Sequence, residues 1–225
     1  MSQSQPQTLR ILISGGGIAG PCLAYWLLRA HPPSPSICPI HITIIERSPT
    51  PRTGGQAVDI RDAGVAVLRG MDLEQEVRDK GTTEAGADIV HPDGVTKASF
   101  PATGDADAQS FTSEFEILRG DLAEIFKRKV EEVDGANKRV EWVFDEVVQE
   151  VVQKEGGGKV LVRFKNKLAE QEFDLVVGAD GLSSNVRRKV WGHGPGGNEY
   201  LDRKGQYMSF FTIPKEDTDT KFSQW

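Results

Sequence analysis

An α/β fold, a parallel sheet with a smaller β-rich region let into it, is predicted by three features of this 225-residue chain. A β-prone run, Ile11-Leu12-Ile13-Ser14, leads through a glycine cluster into an apolar helical stretch and then a second run, Ile42-Thr43-Ile44-Ile45. From Ala85 to Ser113 the pattern changes to short β segments separated by turn residues. A third apolar run, Leu175-Val176-Val177, then meets an Asp180-Gly181 turn. Strand, helix and strand in close succession make a βαβ unit, whose two strands lie parallel.

Residues 1–8 are polar and read as a frayed arm. Gly15, Gly17 and Gly20 form G-x-G-x-x-G between the first strand and the helix, the context that gives this motif its meaning. Gly15 permits the sharp turn, Gly17 lets backbone approach a pyrophosphate, and Gly20 lets the helix pack close on the sheet. Ile18 and Ala19 open the helix, whose unpaired N–H groups face the phosphates. The helix, apolar nearly all round, is expected to be buried in a layered core and to stop at Ala30, before His31-Pro32-Pro33. Glu46 ends the second strand, where a carboxylate pairs with a ribose 2′-hydroxyl and repels a 2′-phosphate. The unit is thus Rossmann-like and suits FAD or NAD rather than NADP.

After Arg47, the Ser48–Gly55 loop, which contains Arg52, leads to a short strand at 56–60 that delivers Asp59 near the crevice. Residues 62–80 read as helix, with Gly70 as the expected break. Two β runs, 87–90 and 95–100, flank a Pro92-Asp93-Gly94 turn and read as a hairpin. A strand at 115–118 precedes a helix opened by Asp121 and running to Val133, with Arg119 at the junction. Strands follow at 140–144, 147–153, 160–164 and 173–178, with a turn at 155–158. The last strand is almost continuously apolar and is expected to be central. A short helix capped by Ser or Asn carries Arg187 and Arg188, and an apolar strand at 206–213 precedes a polar tail. The expected division is a nucleotide-binding domain of 1–84 and 114–190, with a partial β-sheet domain of 85–113 and 191–225.

The totals describe a globular protein: 38% hydrophobic, 27% charged, net charge −6. That balance offers no basic footprint for nucleic acid or anionic lipid. Two cysteines, Cys22 and Cys38, form neither a disulfide framework nor a metal-ligand spacing, which points to a reducing, cytoplasmic location. No run reaches the length of a membrane span. The four histidines, His31, His41, His91 and His193, have no partner pattern, and no catalytic residue or metal ligand is nominated.

Taken together, Gly15-x-Gly17-x-x-Gly20, Glu46-Arg47, Arg119 before a helix, and Gly178-Ala179-Asp180-Gly181-x-x-Ser184-x-Val186-Arg187 resemble the FAD-dependent aromatic-ring hydroxylases. These are single-component flavin monooxygenases related to para-hydroxybenzoate hydroxylase, and Gly54-Gly55-x-x-x-Asp59 is similar to their tetracycline-modifying and fungal secondary-metabolism branch. The resemblance implies an FAD-binding domain with an inserted, incomplete β-sheet substrate domain. It implies that NAD(P)H reduces FAD transiently and that O₂ then hydroxylates a phenolic, aromatic or polyketide-like small molecule through a flavin hydroperoxide. Gly15, Gly17, Ile18, Ala19 and Gly20 would cradle the pyrophosphate, and Glu46 would hold the adenosine ribose. Arg47 would lie along adenine, Arg119 on the flavin nucleotide, and Asp59 near the flavin. Arg52 would dock NADPH, and Asp180-Gly181 would serve both nucleotides. The rival readings are a surface ion pair for Arg119, a solvated charge for Arg52 and a plain tight turn for Asp180-Gly181.

The family's later Gly-Asp motif is missing: Gly104-Asp105-Ala106 has the letters but lacks an apolar strand before it. The chain is therefore expected to be a shortened monooxygenase. The alternatives are a non-catalytic dinucleotide-binding remnant and, less favoured, an NAD-dependent oxidoreductase.

Overall fold

The computed structural model describes residues 7–82, 85–103, 113–153, 156–192, 202, 204–207, 214 and 222–224. In chain order its elements are β1 (Leu9–Ser14), α1 (Ala19–Ala30), β2 (Ile40–Glu46), β3 (Ala57–Asp59), α2 (Ala63–Met71), α3 (Glu74–Asp79), β4 (Gly86–Val90), β5 (Thr96–Pro101), β6 (Glu116–Leu118), α4 (Arg119–Asp134), β7 (Val140–Phe144), β8 (Val148–Gln153), β9 (Val160–Phe164), β10 (Gln171–Phe173), β11 (Leu175–Gly178), α5 (Asn185–Trp191) and β12 (Phe222–Gln224). They form two compact units, Met1–Arg52 with Ala123–Gln206 and Thr53–Leu122 with Tyr207–Trp225. The junctions expected at 84/85 and 113/114 both fall within the second unit.

In the first unit the strands run in the order β11-β1-β2-β7, every neighbouring pair parallel. Strands covered on both faces need apolar side chains at consecutive positions, and Ile11, Leu12, Ile13, Ile42, Ile44 and Ile45 are all buried. Each such side chain contributes about 1.5–3 kcal/mol by leaving water. Leu12 and Ile45 cluster with Val148, Val160, Val162, Phe164, Phe173 and Val186, so the antiparallel sheet β10-β9-β8 and α5 cover that face. Ile13 alternates to the other face, toward α1. Ser14 registers with Gly178 on one side and Ile45 on the other, so three strands finish together. In open parallel sheets ligands bind beyond such ends, where the strand order reverses, here at β1.

Two expectations change in this unit. Helix α1 buries one side, through Gly20, Pro21, Ala24, Tyr25 and Leu28, while Trp26 is 40% exposed. The strand expected at 173–178 is divided at Asp174, where the chain leaves β9 and joins β1. Asp174 secures that change of sheet by exchanging two hydrogen bonds with the backbone of Arg10, both 2.8 Å. The resulting β11 is an edge strand among the described residues, and Leu175 is 49% exposed. Side-chain polarity reports whether the two faces of a strand are covered; the backbone decides whether its edges are paired.

Glu146, just past β7, is 1% exposed. Its carboxylate accepts five backbone N–H bonds: Val147, Lys165 and Asn166 on Oε1, Lys167 and Leu168 on Oε2, all 2.5–3.1 Å. Burial pushes the carboxyl up, but the amides of Leu168, Asn166, Lys167 and Val147 outweigh it and hold the group below the usual glutamate range. One side chain thus joins the start of the β8 arm to the turn beyond β9.

In the second unit the break expected at Gly70 lies instead at Asp72, which adopts a left-handed conformation (φ 57°) between α2 and α3. The hairpin forms as β4 and β5. The polar tail contributes β12, which pairs parallel with β4. Short β3 lies antiparallel to β6, and α4 starts at Arg119, with Asp121 in its first turn rather than at its opening. Gly104-Asp105-Ala106, Glu155 and residues 208–213 lie outside the described residues.

Candidate functional site

The turn after β1 is shaped by two close approaches. Gly15 has φ +124°, and a Cβ there would overlap the Ala179 carbonyl oxygen and stand 2.9 Å from the Asp180 nitrogen. Only glycine takes that conformation without strain. A Cβ on Gly20 would overlap the Gly15 carbonyl oxygen and lie 3.1 Å from Ile13 Cγ2, so the helix sits directly on the strand and turn. Gly17 is different: a Cβ there meets nothing among the described residues within 4 Å. The first turn of α1 carries no acidic residue, and the cap residue Ile18 makes no side-chain capping bond, which leaves this helix end without a built-in anion.

Glu46 points at this turn. Its Oε2 accepts the Gly16 N–H at 3.0 Å and its Oε1 accepts the Ser48 N–H at 2.9 Å. The Gly15 N–H also donates to the Ile45 carbonyl at 2.8 Å, so the end of β2 is bonded to the turn by backbone and side chain together. Each Glu46 oxygen keeps a lone pair, enough for a diol. Gly16 and Ser48 are not among the site residues the sequence marks; the extra, middle glycine of Gly15-Gly16-Gly17 is the available signal for the first.

Asp180 has its own partners. Its Oδ1 accepts from Ser184 Oγ, and its Oδ2 accepts the N–H groups of Asn185 (2.7 Å) and Val186 (3.1 Å). Ser184 Oγ in turn accepts the Arg187 N–H at 3.0 Å, so Asp180 and Ser184 jointly cap α5. Gly181 closes the turn at φ +77°. Asp180→Ala is expected to lower unfolding free energy by about 2 kcal/mol, with Asp180→Asn recovering part of it in urea titrations.

Arg52 Nε stands 3.8 Å from Glu46 Oε1 but is 56% exposed, a pair worth little. Arg47 is exposed and makes no ion pair among the described residues. In the second unit, Asp59 is exposed and its carboxylate pairs with Arg61 at 2.8 Å. Arg119 is exposed, and its backbone N–H donates to the Gln56 carbonyl at 3.1 Å. Burial pushes the Cys22 thiol up, against a nucleophilic use, despite a hydrogen bond with Trp26. Among the described residues no three His, Cys, Asp or Glu side chains gather to hold a metal ion, and no helix is long and apolar enough to cross a membrane.

No protein-family model matches the chain. It is 34% identical over 209 residues to the FAD-dependent monooxygenase asL4 of Sarocladium schorii, covering 92% of this chain and 44% of that protein. It is 36% identical over 217 residues to the flavin-dependent monooxygenase eupH of a Phoma species, covering 95% and 47%. Among solved structures, the tetracycline destructase Tet(51) superimposes with a TM-score of 0.60 at 30% identity, over 82% of this chain and 43% of that one. The chain thus spans about half the length of the curated relatives it matches.

Proposed function

The chain is a homologue of the FAD-dependent monooxygenases over about half their length, and from that relationship we propose that it carries the nucleotide-holding part of such an enzyme. The observation that carries the reading is the Glu46 carboxylate, 3.0 Å from the Gly16 N–H at the ends of parallel strands. Gly15, Gly17, Ile18, Ala19 and Gly20 hold the FAD diphosphate in this reading, through N–H groups at the positive end of α1. Glu46 takes the adenosine ribose hydroxyls and disfavours a 2′-phosphate. Arg47 flanks the adenine. Asp180 and Gly181 form the turn that both FAD and the nicotinamide donor meet, and Arg52 docks NAD(P)H. In the second unit, Arg119 and Asp59 are proposed as FAD ligands on the family resemblance.

Bound FAD supplies the redox chemistry with NAD(P)H and O₂. The chain's own residues bind and orient it, and the proposed substrate is a small electron-rich molecule. The division into a nucleotide domain and an inserted partial substrate domain, and a cytoplasmic setting, belong to the same proposal.

Purified chain titrated with FAD, followed by flavin fluorescence and visible absorption, tests it. Saturable one-to-one binding is expected, and Glu46→Ala should weaken it by about tenfold or more, the loss of charge-assisted hydrogen bonds to the ribose. A folded protein that takes up no flavin would instead support the non-catalytic remnant.

A further inference from the structure

We propose that Gly120, with the Thr53–Gly55 segment that it admits, is a positioning element for Arg119; this rests on reading Arg119 as a ligand of FAD. The backbone of Thr53 crosses the first turn of α4 so closely that a Cβ on Gly120 would overlap the Thr53 carbonyl oxygen, 2.5 Å from its carbon and 3.0 Å from its Cα. These are backbone atoms, which cannot swing aside as a side chain does. Gly120 is buried, whereas Thr53, Gly54 and Gly55 are exposed, so the segment lies as a strap over the start of the helix.

The strap then follows the Arg119 side chain. A Cβ on Gly55 would stand 3.2 Å from Arg119 Cβ, 3.7 Å from Cδ and 3.9 Å from Cγ, so the glycine backbone runs beside the aliphatic stem. Gly55 takes φ +136°, a conformation that side chains resist, to make that approach. The Arg119 N–H bond to the Gln56 carbonyl fixes the same residue from its backbone side. The stem is therefore held between strap and helix, while the guanidinium has no hydrogen bond or ion pair among the described residues.

A cation in the first turn of a helix opposes the helix dipole, and Asp121 in the same turn offsets it. The strap removes rotamer freedom from a long side chain before any anion arrives, which is how preorganisation raises affinity. The Arg119-Gly120 pair thus joins an anion-seeking fork to the one residue type that lets the strap close over it.

The test is a double-variant cycle on the full chain, read by FAD titration and by trypsin cleavage after Arg52, which adjoins the strap. Gly120→Ala is expected to weaken FAD binding about tenfold, to add no further loss in an Arg119→Ala background, and to speed cleavage after Arg52 without FAD present. Arg119→Ala should leave that cleavage rate unchanged. Equal losses from Gly120→Ala in both backgrounds, or no loss with the parent arginine, overturn the positioning role alone. Unchanged FAD affinity in Arg119→Ala overturns the reading of Arg119 as a ligand, and this role with it. If Gly120→Ala does not fold, Gly55→Ala on the exposed strap carries the same cycle with the same outcomes.

Discussion

Gly15→Ala is expected to lower unfolding free energy by about 3 kcal/mol or more, while Gly17→Ala leaves it within about 0.5 kcal/mol. The two glycines are two residues apart in one motif, yet they do different work. At Gly15 a methyl group must adopt φ +124° and overlap the carbonyl of Ala179, so the turn and the end of β11 cannot both stay in place. At Gly17 the same methyl group meets nothing among the described residues within 4 Å. Its cost falls on whatever approaches the turn from outside. Urea denaturation should therefore separate the two variants by several kcal/mol in the ligand-free protein. The FAD titration should show Gly17→Ala folded but weakened in binding. A Gly17→Ala protein with parent affinity would remove the diphosphate from that turn.

Glu146→Gln should destabilise the first unit by about 3–5 kcal/mol, more than any single surface change. An amide offers one acceptor oxygen where the carboxylate offers two, and it directs its own N–H groups at the remaining backbone donors. The substitution should also change the acid limb of the stability curve. In the folded protein the Glu146 carboxyl is held below its usual range, so the unfolded chain takes up the proton first as pH falls. Its contribution is complete above the ordinary glutamate value of about 4.3 and is lost as pH drops through the folded-state value. Unfolding free energy measured from pH 7 to pH 3 should fall less steeply in Glu146→Gln than in the parent. Equal slopes would show that the five amides do not favour the charged form.

Much of the first unit was legible because its signals are local. The β-branched runs at β1 and β2, the glycine spacing, and a carboxylate closing the second strand all act within residues 9–46, and the Gly16-to-Glu46 bond joins the two ends of that stretch. Ser184 as the cap of α5 was similarly readable from a serine before a helical run. The other outcomes depended on partners far away in the chain. The Asp180-Gly181 turn is readable locally, but that the Asp180 carboxylate also caps α5 depends on the path the chain takes after the turn. Glu146 had no distinguishing mark, because the amides it holds at 165–168 arrive only once β9 has turned back.

Sequence alone determined that a strand, a glycine turn, a helix and an acid-tipped strand would follow one another, since backbone conformation and apolar periodicity are properties of neighbouring residues. Only the tertiary structure decided that β11 stands at an edge, that β12 joins β4, and that Thr53 lies over Gly120. Those outcomes turn on which backbone groups meet across the fold, and hydrogen-bonding N–H and C=O groups are the same in every residue except proline.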